Sequence, residues 1–514
     1  MHQRYRNACR TLLPATIIIV TIFFFHQAYP DIIQAGDGFG VDGVLYAKMV
    51  VHLQDMINNS ELSRYHAQRI LPSFVIKTIL SITGNEFSRE NIIYAFMYMN
   101  FFLTLLALVL WFAASYRLRL SRLAFWIGFS GIALCFQSAK NIYYYPVLTD
   151  TFALAIGCGF LYAAVVRNAY LVFLLAMIGA FTWQISSAAG ALMIIAFLFE
   201  FQKTPLVNRL FIERRPILYS LISCILLISF VVAASSVALS MMGPDRKRHF
   251  LGRILNFDFI RMLTNSPTLL LIALGALSIL IAAYLAKPRL AAGPLKIAAH
   301  VIVAGLIIAI PAVIVRSISN PDIVVFGVQG FRETLSALLL DRVFSGMVLQ
   351  PLIAHAVYYG PVFLLLIVRW PDAVRSAIAL GPAVVLMLLL FLGLAGFSES
   401  RFSILMWPFA VAVTAYVYKS ENTSTLFNAT FILLVIVFSS VWLRTNDVLS
   451  ATQDSNAFHQ WIGSVLTTRF GPSMDWPAYA GQGIVVLAAL GWLAWVTRNG
   501  EREASGTSPS SRIG

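Results

Sequence analysis

Along the chain, apolar residues come in blocks separated by short polar stretches, most of them long enough to cross the roughly 30 Å of hydrocarbon in a bilayer. Inside lipid a backbone can satisfy its own polar groups only as a helix or a closed barrel. Continuous apolar runs, without strict alternation, point to the helix. The blocks predict spans at 11–28, 92–114, 123–139, 150–166, 169–183, 185–200, 217–242, 267–286, 295–315, 343–368, 377–397, 402–418, 426–443 and 478–497. The expected fold is therefore an all-α integral membrane bundle of about 12–14 transmembrane helices, forming a single polytopic domain over 1–500.

The pair at 169–200 is too short for two full spans, but charge argues for two short helices there. With one helix, Arg209, Arg214 and Arg215 would lie on the side opposite Arg117, Arg119 and Arg122. With two, Arg4, Arg6, Arg10, Arg117–Arg122, Lys203–Arg215, Lys287–Lys296, Arg369, Arg375, Arg498 and Arg502 all fall on one side, the cytoplasmic side under the positive-inside rule. On this reading the net charge of +14 is a cytoplasmic excess, and both termini are cytoplasmic. The outward segments are 29–91, 140–149, 243–266, 316–342, 398–401 and 444–477, and most of the 23 acids lie in them. Chemistry that uses carboxylates is expected on that face.

Two outward segments carry helical periodicity without the length to span. Ile70, Leu71, Phe74, Val75, Ile79 and Ile82 share one face after Arg69, and Phe458, Trp461, Ile462 and Val465 share another within 454–470. Both read as helices lying at the interface. Residues 501–514, rich in Ser, Gly and charge, read as a disordered cytoplasmic tail. The basic start before the apolar run at 11–25 fits a signal peptide or an anchor, and the lack of a small-x-small cleavage site after it favours an uncleaved first helix.

Composition agrees: 59% of residues are hydrophobic and 12% charged, with a mean hydropathy of +0.79. The basic residues are scattered through short loops instead of forming one stripe, so no nucleic-acid partner is implied. Cys9, Cys135, Cys158 and Cys224 are widely spaced in or beside apolar segments and read as small packing residues.

Three constellations could carry chemistry. Gly36-Asp37-Gly38-Phe39-Gly40-Val41-Asp42-Gly43 follows the first span; glycine lets backbone approach a ligand and leaves the carboxylates of Asp37 and Asp42 accessible as a general base or cation ligand. The same composition also suits a solvated turn. Lys140-Asn141-Ile142-Tyr143-Tyr144-Tyr145-Pro146-Val147-Leu148-Thr149-Asp150 offers a carboxylate at Asp150 beside rings, Tyr144 and Tyr145, that could stack on a sugar. Alternatively, Asp150 caps its helix and the tyrosines form an interfacial belt. Ser398-Glu399-Ser400-Arg401-Phe402 places Glu399 and Arg401 at the membrane boundary. There an arginine fork can hold a lipid phosphate or simply snorkel beside its neighbouring acid. Secondary phosphate contacts are Arg64, His66 and Arg69, and the run Arg246-Lys247-Arg248-His249. His300 and His355 lie inside expected spans, where packing is the expected role.

Together these residues resemble the GT-C superfamily of membrane glycosyltransferases, which includes protein O-mannosyltransferases and aminoarabinose transferase. The resemblance covers the first 200 residues or so by order, plus Glu399–Pro408. Arg69-Ile70-Leu71-Pro72, Pro146-Val147-Leu148-Thr149-Asp150-Thr151-Phe152-Ala153 and Glu399-Ser400-Arg401-Phe402 are similar to stretches of bacterial proteins of this type. It implies a GT-C-like architecture in a bacterial inner membrane and a polyprenyl-phosphate-linked sugar as donor. The acceptor is a glycan, lipid or protein on the outer, periplasmic face. It makes Asp37 or Asp42 the base, Asp150 the second acid and Arg401 the donor-phosphate contact. Acids in the superfamily's second outer loop assist or bind a divalent cation such as Mg or Mn; no Asp-x-Asp or Glu-x-Asp pair stands there in this chain, which leaves metal dependence open. The competing classes are a transporter or lipid flippase, with functional charges near mid-bilayer, and a surface-polysaccharide polymerase or ligase. The latter would draw on Arg444, His459 and Arg469 in the last outward segment. No HExxH, GxSxG or Walker-type loop is present.

Overall fold

The computed structural model describes residues 2–201, 267–320, 322–323, 349–396, 399–419, 423–446 and 476–504. Helix dominates them, as apolar runs with no alternation require. Helices α1 (His2–Ala28), α2 (Gly40–Asn58), α3 (Arg64–Ala67), α4 (Ile70–Thr83), α5 (Arg89–Leu118) and α6 (Arg122–Ala133) are followed by α7 (Asp150–Val166), α8 (Ala169–Gly179) and α9 (Ser186–Ala196). Further on come α10 (Pro267–Leu285), α11 (Pro294–Ile318), α12 (Gln350–Tyr359), α13 (Pro361–Val368), α14 (Trp370–Leu380), α15 (Pro382–Ala395), α16 (Trp407–Val417), α17 (Thr425–Ser439) and α18 (Trp476–Ala504). Four of the described helices are long and apolar enough to cross a membrane, within α1, α5, α11 and α18, or five if the bent pair Arg122–Ala133 and Gln137–Tyr144 is one span.

The remaining apolar blocks are built from shorter helices. The blocks 343–368 and 377–397 are each broken at a Gly-Pro step, Gly360-Pro361 and Gly381-Pro382, where the glycines take φ of 72° and 109°. Proline cannot donate into a continuing helix, and glycine tolerates the dihedrals the break needs. The block expected to be helical from 402 opens instead with a 3-10 turn at Ser400–Ser403, and α16 starts at Trp407, with Pro408 in its first turn. The block 123–139 bends into a π-helical turn at Gln137–Asn141. Residues 169–200 do form two short helices, α8 and α9. The helix expected from Ile70 to Ile82 runs over Ile70–Thr83 and ends at Gly84 in the left-handed region. It buries Ile76 and Leu80 while Phe74, Ile79 and Ile82 stay exposed. The segment from 501 expected as tail is helical through Ala504, as its Glu and Arg residues favour. The span 217–242, the helix at 454–470, Arg246–His249, His459 and Arg469 lie outside the described residues.

Residues assigned to one side by the Lys/Arg pattern meet one another. On the acid-rich side, Asp42 contacts Tyr145 and Arg401, Asp31 contacts Lys140, Thr445 and Asn446, and Ser63 bridges Asn320. On the basic side, Phe199–Phe201 pairs antiparallel with Pro288–Leu290, Arg167 bonds Glu200, and Ser121 donates to the Tyr418 carbonyl. Between them lies one large apolar core spanning most helices from α1 to α18, and a smaller one under α2, α4 and the N-terminal half of α5. The smaller core fixes α2 and α4 over the acid-rich end.

Candidate functional site

The glycine-rich stretch after α1 is no open turn. A 3-10 turn at Ala35–Gly38 leads directly into α2, so Asp42 sits in the first turn of a helix. There a carboxylate interacts favourably with the helix dipole. Gly40 takes φ of 72°, and the Tyr145 ring is pressed against it: a Cβ there would lie 2.2 Å from the ring. This approach lets the phenol oxygen of Tyr145 accept the Asp42 and Gly43 N–H groups at 2.8 and 3.3 Å. Two of the helix's orphan donors are thereby satisfied.

Asp42 Oδ2 accepts from Arg401 Nη1 at 2.9 Å, across 359 positions of sequence. Arg401 Nε also donates to Glu399. The Asp42 side chain is 10% exposed and that of Arg401 24%, so the pair lies at a partly open boundary. Burial pushes the Asp42 carboxyl up, but the charges of Arg401 and Arg69 and the Arg401 hydrogen bond outweigh it and hold the group below the ordinary carboxylate range. The 3-10 turn carrying Arg401 is anchored from below. Tyr359 donates to the Ser400 carbonyl at 2.7 Å, His355 Nδ1 lies 2.8 Å from Ser400 Oγ, and Trp407 stacks on Tyr359 at 4.2 Å between ring centroids. His355 thus has a packing role, as expected.

Arg69 is buried. Its guanidinium lies between the Tyr65 and Trp183 rings, 4.2 and 4.6 Å from their centroids, and Nη1 donates to Tyr46 Oη at 3.0 Å. No carboxylate pairs with it among the described residues, and its Nε has no hydrogen-bond partner. The neighbouring Leu71 N–H donates to the Phe181 carbonyl at 3.0 Å, which ties the turn between α8 and α9 to this wall. His66, beside it, is lowered to about 4 by burial and then by the Arg69 charge, so it is neutral at physiological pH.

Asp150 is the first residue of α7; Thr149 holds the cap position and makes no side-chain cap bond. Asp150 is buried, and among the described residues its Oδ2 has no partner, nor has Thr149 Oγ1. The charges of Arg401, Arg69, Glu399 and Asp42 all act on Asp150, so it belongs to the same electrostatic cluster. An unpaired buried carboxylate oxygen costs free energy unless a ligand or water satisfies it.

The structure therefore gathers Asp42, Asp150, Glu399, Arg401, Arg69 and Tyr145. Asp37 is elsewhere: its side chain is exposed, its φ is 53°, and its carbonyl accepts from Arg89. Arg64 is exposed as well. Tyr144 is buried, and its carbonyl accepts the Ile33 N–H at 2.8 Å. Tyr145 has its ring packed on Gly40. Sequence reasoning missed Tyr65 and Trp183, which hold Arg69. It also missed Asp31, which makes a fully buried ion pair with Lys140 at 2.6 Å. No local pattern marks them.

Among the described residues no group of three or more His, Cys, Asp or Glu could hold a metal ion. Asp42 and Glu399 pair with Arg401 instead. The free cysteines Cys135 and Cys158 are buried. Models of known families, curated proteins and solved structures give no match to this chain.

Proposed function

We propose that this protein is a membrane glycosyltransferase of GT-C type. It would move a sugar from a polyprenyl-phosphate donor to a hydroxyl acceptor at the acid-rich face of a polytopic bundle. The observation that carries the reading is the Asp42–Arg401 contact at a partly open boundary, with a second, unsatisfied acid, Asp150, behind it. A lipid-linked sugar phosphate needs a cation for its leaving phosphate and a carboxylate for the acceptor proton. Here both sit side by side.

In the resting site Arg401 suppresses the basicity of Asp42. A donor phosphate that draws on the Arg401 fork weakens that hold, so the base strengthens when donor is bound. Asp42 then takes the acceptor hydroxyl proton as the acceptor oxygen bonds to the anomeric carbon. The bond from that carbon to the phosphate oxygen breaks with its electron pair, and polyprenyl phosphate leaves beside Arg401. Glu399 orients the guanidinium through Nε. The donor carries its own activation, so no nucleotide is needed.

The test is transfer of labelled sugar from a polyprenyl-phosphate donor by wild-type protein in proteoliposomes. Acceptor labelling supports the reading; movement of the lipid across the bilayer without transfer makes the protein a flippase.

A further inference from the structure

Tyr145 has more to offer than a prop for α2. Its phenol oxygen already accepts two backbone N–H groups, from Asp42 at 2.8 Å and Gly43 at 3.3 Å. With the oxygen's two acceptor positions filled, the hydroxyl can act only as a donor. Among the described residues no group accepts that hydrogen. The residue is partly exposed, and its oxygen rests on the backbone of Asp42, whose carboxylate pairs with Arg401, so the hydroxyl lies beside that pair.

The two N–H donors do two things. They fix the direction of the O–H bond, because the remaining donor direction is set by the occupied lone pairs. They also polarise the phenol, since successive hydrogen bonds strengthen one another. Burial, and then the negative charge of Asp42, push the phenol up to about 12, so the hydroxyl keeps its hydrogen at neutral pH. Replacing Gly40 by any residue with a side chain would displace the ring, which makes the placement a property of the backbone.

We propose that Tyr145 donates its hydroxyl hydrogen to a phosphate oxygen held by Arg401, making it a second phosphate contact beside the base. This assignment rests on the phosphate-donor reading. It replaces the expected role of Tyr145 as a stacking ring for a sugar. No covalent change at Tyr145 is involved; the hydrogen bond strengthens as charge gathers on the leaving oxygen.

The test uses the full-length protein in detergent micelles and farnesyl phosphate as probe, with binding measured for wild type, Tyr145→Phe, Arg401→Gln and a variant carrying 3-fluorotyrosine at position 145. Losing a hydrogen bond to a charged oxygen is expected to weaken binding roughly tenfold in Tyr145→Phe. The fluorinated ring is a stronger donor and a weaker acceptor. It is expected to bind about two- to threefold more tightly, a direction that loss of the backbone contacts alone would not produce. Should Tyr145→Phe fold poorly, the fluorinated variant decides by its direction. Unchanged or weaker binding by the fluorinated variant, with wild type binding normally, overturns the proposal and leaves the phosphate reading intact. Absence of binding by the wild type overturns both.

Discussion

Two ionic clusters sit at the same end of this molecule, and they are built on opposite principles. Around Asp31 the carboxylate's demands are met. The carboxylate accepts from Lys140 at 2.6 Å, from the Thr445 N–H at 2.6 Å and from the Asn446 N–H at 3.0 Å, while Asn446 Nδ2 donates to the Ile32 carbonyl. Both charged side chains are only 3% exposed. Around Asp42 and Asp150 the demands are left partly open. Among the described residues Arg69 has no carboxylate and Asp150 Oδ2 and Thr149 Oγ1 have no partner, while Arg401 and Glu399 remain part-exposed. A satisfied buried network holds structure together, whereas orphaned polar groups are tolerated where a ligand or water completes them. The Asp31 cluster is therefore read as a lock joining three segments, and the Asp42 cluster as the working site.

This contrast can be broken by substitution. The largest expected effect is on transfer: Asp42→Asn should lose about 10²–10⁴-fold in rate with little change in thermal stability. Arg401→Gln should lose a comparable factor, and Asp150→Asn a smaller one. The lock should respond the other way round. Lys140→Met leaves the Asp31 charge buried without its cation and is expected to cost about 3–5 kcal/mol of stability. The double variant Asp31→Asn with Lys140→Met should recover part of that. Unfolding in detergent checks both; an unaltered midpoint for Lys140→Met would show that the pair is no lock.

A smaller effect is expected from pH. His66 is held near 4 against an ordinary value of 6.5. As pH falls through that interval the unfolded chain takes up a proton that the folded chain refuses, so stability should fall from about pH 6.5 towards pH 4 and be level above it. His66→Gln should flatten that slope, which unfolding midpoints at pH 7 and pH 5 would reveal. Gly40→Ala should destabilise the Asp42 cluster by about 1–3 kcal/mol and reduce transfer, since the new methyl meets the Tyr145 ring.

Much of this was legible in the pattern of residues. The 3.6-residue repeat at Ile70–Ile82 marks α4, and side-by-side accounting of arginines marks α8 and α9 as two helices. Asp42, Glu399, Arg401, Asp150, Arg69 and Tyr145 can each be singled out by a charge or ring at an apolar border. Their assembly could not be read, because no local pattern encodes a contact between Asp42 and Arg401 across 359 positions. For the same reason Asp37 and Asp42 were equal in sequence and separate in space. Asp31, Tyr65 and Trp183 gave no signal; a lone acid after a helix and two aromatics among 13% aromatic residues look like any others. The Gly-Pro breaks at 360 and 381 did carry a signal, but averaging hydropathy over a span erases it.

A glycosyltransferase built on this site needs Asp42 as its working base and leaves Asp37, five residues away, as a bystander. Initial rates of labelled-sugar transfer by wild type, Asp42→Asn and Asp37→Asn in proteoliposomes decide it. Near-complete loss in Asp42→Asn with Asp37→Asn within about twofold of wild type is the predicted result; full activity in Asp42→Asn, or loss confined to Asp37→Asn, contradicts it.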